Sequence, residues 1–487
     1  ATSLGGNLVS KGKDRNTAAD VVRTLRQDKY DALDLKFVDL FGMLQHVTVP
    51  TEQVDEGLFG KGFGFDGSSV RGFQAINESD MVLRPDPKSA FPDPFFDDPT
   101  LSVFCDVLDP RTHDIYSRDS RGLAQRAQQL VRSLGIADTA FFGPEPEFFI
   151  FDDVRFDQTT QHGFYYVNSE GAFWQTGSTA GRNPGHRARR KQAYYAAAPV
   201  DQFQNLRAKM SKTFAALGIE PELHHHEVAA AGQNEIGFRF GPLTEQADRV
   251  IKFKYAVKNI AHRYDKTATF MPKPLFEENG SGMHVHVSLW KQNRNLFYEA
   301  GRYGDLSDMG RLFIGGILHH AAALCAFCAP TTNSYRRLVP GYEAPINLVY
   351  SANNRSACIR IPNTGTDAKA KRIEFRTPDP SCNPYLAFAA ILLAGIDGIK
   401  NRIEPPDPID EDIYELAGTE AGKSIQSAPG SLEMALDALE RDNDFLVRDG
   451  VFTEALIDLW VRLKRENEVN FISLRPHPSE FMLYFDA

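Results

Sequence analysis

Short stretches of alternating hydrophobic and polar residues, typical of β-strands, are interspersed along the chain with stretches of helical spacing. Residues 34–50 contain two β-rich runs around Phe41-Gly42, which predicts a hairpin, and residues 101–108 predict a further strand. Over residues 120–134 the apolar side chains recur every three or four positions before Gly135. This pattern predicts an amphipathic helix that ends at the glycine.

The pattern changes near residue 115, from short strands joined by glycine- and proline-rich loops to alternating strands and helices. Because 487 residues are roughly three times the usual length of one domain, a boundary is expected at this change. Residues 1–20 are polar and lack the apolar core of a signal peptide, so we expect a flexible arm there. We therefore predict a smaller domain over residues 21–115 and a larger one over residues 116–487.

The composition, with 42% hydrophobic residues, 24% charged residues and a net charge of −10, is that of a globular protein. The negative charge argues against binding to nucleic acid or to an anionic membrane. No stretch reaches the roughly 18 apolar residues that span a bilayer, and the longest, residues 385–396 after Asn383-Pro384, predicts a buried helix. Cys325 and Cys328 are expected to be buried thiols, and a cytoplasmic location fits best.

Four strand-like segments carry charged or polar residues at alternate positions, which places those residues on one face of a strand. In residues 143–151, Glu145 and Glu147 point the same way among apolar neighbours. Two carboxylates in such surroundings repel each other and lose hydration, so they require cations or a proton. Taken alone, the segment also fits an edge strand with solvated acids.

The other three segments are residues 224–235, 279–288 and 372–376. The polar residues concerned are Glu227 and Glu235 in the first, His284, His286 and Ser288 in the second, and Arg372, Glu374 and Arg376 in the third. Each has an ordinary explanation when taken alone: a surface histidine cluster, a hydrogen-bonded core histidine and an ion-pair ladder. Coincidence is a poor explanation for four such segments in one chain.

Pooled, the segments supply an oxygen-rich ligand set, which suits hard cations such as Mg²⁺ or Mn²⁺ better than structural zinc. Nearby arginines could hold the charged oxygens of a transferring phosphoryl group, and no Walker-type or Rossmann fingerprint is present in the sequence. The pattern therefore predicts metal-dependent phosphoryl transfer. The candidate ligands are Glu145, Glu147, Glu227, Glu235, Glu374 and His284. The arginines are Arg336, Arg337, Arg355, Arg360, Arg372 and Arg376.

A series of ordered motifs runs along almost the whole chain. They are Phe65-Asp-Gly-Ser-Ser69, Glu78-Ser-Asp-Met81, Gly143-Pro-Glu-Pro-Glu-Phe148, the His224 to Glu235 block, Gly280-Ser-Gly-Met-His284, Arg337-Leu-Val-Pro-Gly-Tyr-Glu-Ala-Pro345, Asn354-Arg-Ser-Ala357, Ile359-Arg-Ile-Pro362 and Arg372-Ile-Glu374. With them the chain resembles class I glutamine synthetase of the bacterial type. The resemblance implies ATP-dependent ligation of glutamate and ammonia to glutamine through a γ-glutamyl phosphate.

The resemblance also implies an α+β fold, with a small β-grasp-like N-terminal domain before a catalytic domain that has an antiparallel barrel-like sheet and flanking helices. It implies two metal sites, for Mg²⁺ or Mn²⁺, and leaves a third ion at the nucleotide open. The glutamate-side ion would be held by Glu147, Glu227 and Glu235. The phosphate-side ion would be held by Glu145, His284 and Glu374.

Further roles follow from the resemblance, residue by residue. Substrate carboxylate and phosphoryl oxygens would be held by Arg337 and Arg376, with Asn279 and Gly280 on the glutamate loop. The nucleotide would be contacted by Glu222, His286, Ser288, Lys369, Arg355 and Arg360.

For ammonium, Asp66 would reach in from the neighbouring subunit and accept a proton, and Glu343 would lie on a flap that shields the intermediate. Tyr194 matches a position lining the ammonium pocket, although the glycines usual around it are absent. On sequence alone Asp66 also fits a simple turn residue.

The assembly expected by resemblance is a homo-oligomer, a dodecamer of two hexameric rings, in which the N-terminal domain completes the neighbour's site. Tyr414 matches a tyrosine that is adenylylated in a subgroup, which would add an adenylyltransferase as partner; an ordinary exposed tyrosine is the alternative. The nearest alternative function is a γ-glutamyl amide ligase that uses a polyamine or another amine. A catalytically inactive structural homologue and an unrelated metal-dependent phosphatase fit less well.

Overall fold

The computed structural model of the protein describes residues 17–74, 79–340, 342, 344–354, 356–411 and 425–487. Three predicted site residues, Glu343, Arg355 and Tyr414, lie outside the described residues. Residues 1–16 of the predicted arm do so as well.

The first described element is α1 (Ala18–Gln27), which begins inside the segment predicted as a flexible arm. The Thr17 hydroxyl accepts a hydrogen bond from the backbone N–H of Asp20, and the Asp20 carboxylate accepts one from the backbone N–H of Thr17. This capping box satisfies two N–H groups that a helix start would otherwise leave unpaired. Because buried apolar residues of α1 also join the N-terminal core, residues 18–20 are helical rather than part of an arm.

The N-terminal domain is built on a six-stranded sheet with the order β2-β1-β6-β4-β3, in which β5 pairs with β6. Its strands are β1 (Ala32–Val38), β2 (Leu44–Pro50), β3 (Phe63–Asp66), β4 (Asp80–Pro85), β5 (Phe91–Asp93) and β6 (Thr100–Leu108), and a short helix α2 (Glu56–Lys61) precedes β3. The predicted hairpin and the predicted strand are confirmed as β1–β2 and β6. The parallel pairing of β1 with β6 gives the sheet its β-grasp character.

The second sheet has ten strands and the order β10-β11-β7-β14-β18-β17-β16. These are β7 (Thr139–Phe151), β10 (Pro221–His226), β11 (Gln233–Phe238), β14 (Met283–Lys291), β16 (Asn347–Ser351), β17 (Ala357–Arg360) and β18 (Ile373–Phe375), with the short strands β12 (Gly241–Pro242), β13 (Thr267–Thr269) and β15 (Arg294–Asn295) alongside. β8 (Asp153–Gln158) and β9 (Gly163–Asn168) form a separate hairpin. The pairs are antiparallel, as predicted, except for the parallel pair β16–β17.

Helices cover one side of this sheet and supply most of the main core. The longer ones are α3 (Ser120–Ser133), α4 (Gln204–Ala216), α5 (Leu243–Arg263), α6 (Asp308–His319), α7 (Ala321–Cys328) and α9 (Pro384–Asn401), with α8 (Ser334–Arg337) between α7 and α9. Towards the C-terminus follow α10 (Leu432–Arg441), α11 (Asp444–Val447), α12 (Glu454–Lys464), α13 (Asn470–Ser473) and α14 (Pro478–Tyr484). The predicted helices are confirmed as α3 and α9, and the Asn383 side chain caps α9 as expected.

Within the described residues, no single helix has the length and apolar composition needed to cross a membrane. Only α6 and α7 taken together would meet that test, and they bend by 76° at the break between them.

Arg121, at the start of α3, joins the two domains through a buried ionic network. Its guanidinium donates to Asp106 and Asp86 of the N-terminal domain, at 2.6 and 2.7 Å, and to Asp248 on α5 at 3.0 Å. Arg121 is 5% exposed, so these hydrogen-bonded pairs hold a charge that could not otherwise be buried. The network fixes the N-terminal sheet against the helices that carry the catalytic sheet.

Candidate active site

The alignment of neighbouring strands in the catalytic sheet brings the predicted acids together. Residues directly opposite on adjacent strands share a face, with their Cβ atoms about 5 Å apart. The opposed pairs are His225 with Glu235, Glu235 with Glu147, Glu145 with His284, and His286 with Glu374. Five strands thus contribute to one continuous polar patch on a sheet whose other face is apolar.

On one side of the patch, His225, Glu227 and Glu235 can each offer a ligand atom within 4.8 Å of the others. Glu147 lies beside them with a fixed orientation, because its Oε2 accepts hydrogen bonds from the Gly282 N–H and the Gln233 side chain, both at 2.9 Å. Hydrogen bonds of this kind orient carboxylates that bind metals.

Electrostatics on this side favour an added cation. Burial, reinforced by the charge of Glu227, raises the pKa of Glu147 to about 8. Burial and the charges of neighbouring carboxylates likewise raise the pKa of Glu235 well above its usual range. The raised pKa values measure the free-energy cost of keeping these acids ionised together. Oxygen ligands under such repulsion suit a hard divalent cation, so the donor set fits a metal ion of the kind predicted.

On the other side, Glu145, His286 and Glu374 form a second group whose ligand atoms lie within 4.8 Å of one another. The Nδ1 of His284 lies 3.7 Å from Glu145 and 3.5 Å from Glu374, so His284 faces the same space. Burial alone would raise the pKa of Glu374, but the surrounding His286, Arg376, His284 and Arg360 outweigh burial and lower the pKa to about 2.

Hydrogen bonds distinguish the two histidines. The Nε of Arg372 donates to Nδ1 of His286 at 3.2 Å, so in the neutral ring the proton lies on Nε2, which donates to Glu145 at 2.9 Å. A nitrogen that carries a hydrogen offers no lone pair to a metal. Burial and the charge of Arg376 lower the pKa of His284 to about 4, which keeps that ring neutral. His284 is thus the imidazole available for coordination, and His286 orients Glu145.

Arginines border the second group. Arg360 and Arg376 both form ion pairs with Glu374. The Nε of Arg376 is buried and has no hydrogen-bond partner among the described residues, so one donor of this guanidinium is available. Arg337 is buried and donates to the backbone carbonyls of residues 376 and 377. These contacts hold the guanidinium groups in place beside the acids.

The loop of Asn279 and Gly280 lies against Arg337. A methyl group on Gly280 would collide with the Pro272 carbonyl oxygen and press on the Arg337 side chain, so only glycine permits this approach. Asn279 is 8% exposed. The structure therefore brings the predicted glutamate loop to the buried arginine.

The remaining predicted residues lie at varying distances from the acids. Tyr194 packs edge-on against His225, with ring centroids 5.5 Å apart. Ser288 follows His286 along β14 and accepts a hydrogen bond from Trp290. Glu222 on β10 and Lys369 are exposed.

Asp66 differs from the other predicted residues because it lies in the N-terminal domain. It is exposed, and its recorded hydrogen bonds among the described residues are to Ser68 and Ser69 of its own turn. Hydrogen bonds from Ser68 lower its pKa and keep it anionic.

Two residues of the site were not predicted in their roles. His225 was noted only as one of three histidines; its Nδ1 lies 3.2 Å from the His226 carbonyl, which leaves Nε2 facing Glu235 at 3.6 Å. Gln233 donates to Glu147. The sequence signal for both was alternation along β10 and β11, which puts His225 on the face of Glu227 and Gln233 on that of Glu235.

The catalytic sheet, attached to a β-grasp domain, carries two groups of acids, an available imidazole and bordering arginines on one face. This arrangement is typical of metal-dependent phosphoryl-transfer enzymes. Comparisons with known proteins agree. Residues 117–484 match the family model of the glutamine synthetase catalytic domain, and residues 29–110 match that of the glutamine synthetase β-grasp domain. The chain therefore belongs to the glutamine synthetase family.

Individual relatives are similar over almost the whole chain. The glutamine synthetase of Frankia alni is 55% identical over 470 residues, covering 96% of this chain and 99% of that protein. Among solved structures, Plasmodium falciparum glutamine synthetase matches with a TM-score of 0.89 at 28% identity, covering 96% of this chain and 99% of that one. A chain named GmaS, in complex with ADP, matches with a TM-score of 0.80 at 27% identity, covering 96% and 100%. The enzyme forms glutamine from glutamate and ammonia with ATP, and uses a divalent metal.

Proposed function

We propose that glutamine formation takes place over two divalent ions, Mg²⁺ or Mn²⁺, on the polar patch of the catalytic sheet. The glutamate-side ion would be held by Glu147, Glu227 and Glu235, and the phosphate-side ion by Glu145, His284 and Glu374. The observation that carries the proposal is the pairing of strands that places the acids in two groups, one of them with raised pKa values. His225 Nε2 is a further candidate ligand on the glutamate side.

Bound metal would neutralise phosphate oxygens and polarise the bond to the transferred group. The chain's own side chains would position the reactants. The free Nε donor of Arg376 and the fixed guanidinium of Arg337 suit carboxylate and phosphoryl oxygens, with Asn279 and Gly280 holding the amino acid.

The nucleotide would lie on the side of the patch beyond the phosphate-side ion, where a third ion could accompany it. Its contacts would come from Glu222, His286, Ser288, Arg355, Arg360 and Lys369. The position of His286 and Ser288 on the face of β14 that carries His284 supports this placement.

Ammonium would be captured by anionic groups and deprotonated before it attacks the acyl phosphate. We assign this role to Asp66 of a neighbouring subunit, with Glu343 on the shielding flap and Tyr194 lining the pocket. Asp66 is exposed and anionic, and its side chain accepts hydrogen bonds from Ser68 and Ser69 of its own turn, so the carboxylate lies at the surface where a neighbouring chain could meet it. The domain over residues 21–115 would then act in the neighbour's site.

We assign the assembly to a dodecamer of two hexameric rings. Support comes from the C-terminal segment around α14, which exposes a row of large apolar side chains that a second copy could cover. They are Leu474, Phe481, Met482, Leu483, Tyr484 and Phe485. The five free, buried cysteines and the use of ATP support a cytoplasmic location. Regulation through Tyr414 by an adenylyltransferase stays a prediction.

Metal counting tests the two-site proposal. Calorimetric titration of the metal-free enzyme with Mn²⁺ is expected to give two tight ions per chain. Glu235→Gln should lose one of them and Glu374→Gln the other, and Glu52→Gln on the N-terminal domain should keep both. Loss of both ions from each site variant, or of neither, would contradict the proposal.

Subunit mixing tests the shared site. Asp66→Asn and Glu147→Gln are each expected to be nearly inactive. When equal amounts are unfolded, mixed and reassembled, roughly a quarter of the sites should combine two unmutated contributions and regain activity. If the site lay within one chain, the mixture would stay inactive.

A further inference from the structure

A second cleft lies away from the acids, between the β1–β2 hairpin of the N-terminal domain and α5 of the catalytic domain. Its volume is about 790 Å³, within the range of small-molecule pockets. Met43 on the hairpin and Met271 after β13 are half-exposed among its lining residues, so the cleft is open to solvent.

The charged side chains that line this cleft are basic. Its lining includes Lys36, Lys254, Lys258 and His46, and no Asp or Glu is among the described lining residues, in a chain whose net charge is −10. Lys36 is neutralised beneath the surface by Asp34 and Asp93. His46 contacts Asp34 as well.

Lys254 and Lys258 differ from those two residues. They are one helical turn apart on α5, and neither has an ion pair with a carboxylate among the described residues. The ammonium of Lys254 donates to the Cys382 carbonyl at 3.3 Å, and both ammonium groups lie 5.9 Å from the centre of the Phe270 ring. Burial and the charge of Lys258 lower the pKa of Lys254 to about 8. An anion between the two would offset both effects.

The remaining surface of the cleft is aromatic with a few polar groups. Phe96, Tyr255 and Phe270 form apolar walls. Thr269, Asn333 and Ser381 add hydroxyl and amide groups. This lining suits a molecule with a flat apolar body and one carboxylate or phosphate group, because each part then meets its complement.

The cleft also touches the support of the glutamate loop. Its wall residue Pro272 accepts a hydrogen bond from the Ser281 N–H at 2.7 Å, next to Gly280. Its wall residue Asn333 exchanges two hydrogen bonds with the backbone of Lys273, at 2.8 and 3.0 Å. A ligand that moves either residue would move the loop that meets glutamate.

We propose that this cleft is a second ligand site, which binds small aromatic or apolar anions through Lys254 and Lys258 and alters glutamate binding when occupied. The site is separate from the metal patch, and its ligand is recognised by charge and by the aromatic walls.

Calorimetric titration of the assembled enzyme with phenyl phosphate tests the binding, with saturating ADP and Mg²⁺ present so that the nucleotide subsite is filled. Benzoate replaces phosphate by carboxylate, and benzylamine reverses the charge on the same ring. Phenyl phosphate or benzoate should bind and benzylamine should not. Lys254→Met and Lys258→Met should each weaken binding about tenfold or more. The matched control is Lys252→Met on the same helix, whose ammonium donates to the Leu217 carbonyl instead.

Lys258→Arg should keep the affinity, because the charge is retained. With the preferred anion present, the KM for glutamate should change at constant kcat, and the change should vanish in Lys258→Met. Equal binding of benzylamine, binding indifferent to both lysine variants, or no binding to the assembled enzyme would overturn the site. Lysine-dependent binding that leaves the glutamate KM unchanged would overturn the coupling.

Discussion

The two sheets of this enzyme bury charges in opposite ways. In the N-terminal sheet Lys36 is 1% exposed, and its ammonium lies 2.7 Å from Asp34 and 3.1 Å from Asp93. In the catalytic sheet Glu147 and Glu235 have no Arg or Lys ion pair among the described residues, and their pKa values are raised. One sheet completes its charge balance internally, whereas the buried acids of the other need a proton or a cation from outside.

This contrast separates structural charges from functional ones. A buried carboxylate that is paired with a buried cation is already neutralised. A buried carboxylate without such a partner lowers the stability of the folded protein until it binds a proton or a cation. The same difference recurs inside the active site, where Glu374 is paired with Arg360 and Arg376 and keeps a low pKa. The acids around Glu147 and Glu235 therefore have more to gain from a bound cation than Glu374 does.

The largest expected effect comes from Glu147→Gln. We expect kcat/KM to fall by about 10³-fold or more, because an ion that stabilises the transition state by several kcal/mol loses a ligand. The melting temperature should change in opposite directions with and without metal. In metal-free enzyme it should rise, since one repelling carboxylate is gone, and with saturating Mn²⁺ it should fall below that of the unaltered protein.

Activity assays, and thermal melts with and without Mn²⁺, check whether the melting temperature changes in opposite directions. Glu52→Gln is the control and should change neither the activity nor the melting temperature. A Glu147→Gln protein that melts lower than the unaltered protein in both conditions would show that Glu147 is a structural acid, and the contrast between the sheets would fail.

Lys36→Met tests the other sheet. Removing the cation leaves Asp34 and Asp93 buried without their partner, which should cost about 3 kcal/mol of stability. The loss should be the same with and without Mn²⁺, measured by denaturant titration, and activity per folded enzyme should change little. The exposed Lys29→Met is the matched control. If Mn²⁺ reversed the loss of stability, the buried charges of the N-terminal sheet would also depend on metal, and the contrast between the two sheets would fail.

Arg372→Met tests the assignment of the two histidines. Without its guanidinium, His286 is free to adopt the other tautomer, and Glu145 loses a fixed donor. We expect activity to fall about 10- to 100-fold, as for other residues that orient metal ligands. Arg372→Lys should not restore it, because a lysine lacks the Nε–H that meets Nδ1. The pH profile of kcat should shift as well. Full activity in Arg372→Met would show that the contact with Arg372 is not what fixes His286 and Glu145 for the reaction.

Much of the site was predictable because alternation along a strand is local. Glu145 and Glu147 share a face for that reason alone, and so do His284 and His286. The alignment between strands is not local: it is set by packing of the whole sheet. The sequence therefore did not show that Glu235 lies opposite both Glu147 and His225.

The fold was predicted to a similar extent. The hairpin and helices α3 and α9 carry strong periodicity or capping signals, and their positions are confirmed. The parallel pair β16–β17 was missed, since strand direction depends on long connections rather than on the strands themselves. The buried pairing of Asp34 with Lys36 was missed too, because alternating charges on a strand usually face solvent.

The smallest expected effect concerns a histidine whose protonated ring balances the charge of two neighbouring carboxylates. His320, between α6 and α7, contacts Asp442 through Nδ1 at 2.8 Å and Asp397 through Nε2 at 3.1 Å. Burial alone would lower its pKa, but these two acids outweigh burial and raise it. The raised pKa means that protonation stabilises the folded state, fully below the unfolded value near 6.5 and less as the pH rises through the folded value.

Compared with His320→Gln, the unaltered protein should therefore be more stable by about 1 kcal/mol at pH 6, and the difference should narrow as the pH rises towards 9. Denaturant titrations at several pH values measure it, with the exposed His262→Gln as control. A difference that grows with pH would mean that the ring is buried neutral. His320 would then resemble neither the buried ion pairs of the N-terminal sheet nor the unpaired acids of the catalytic sheet.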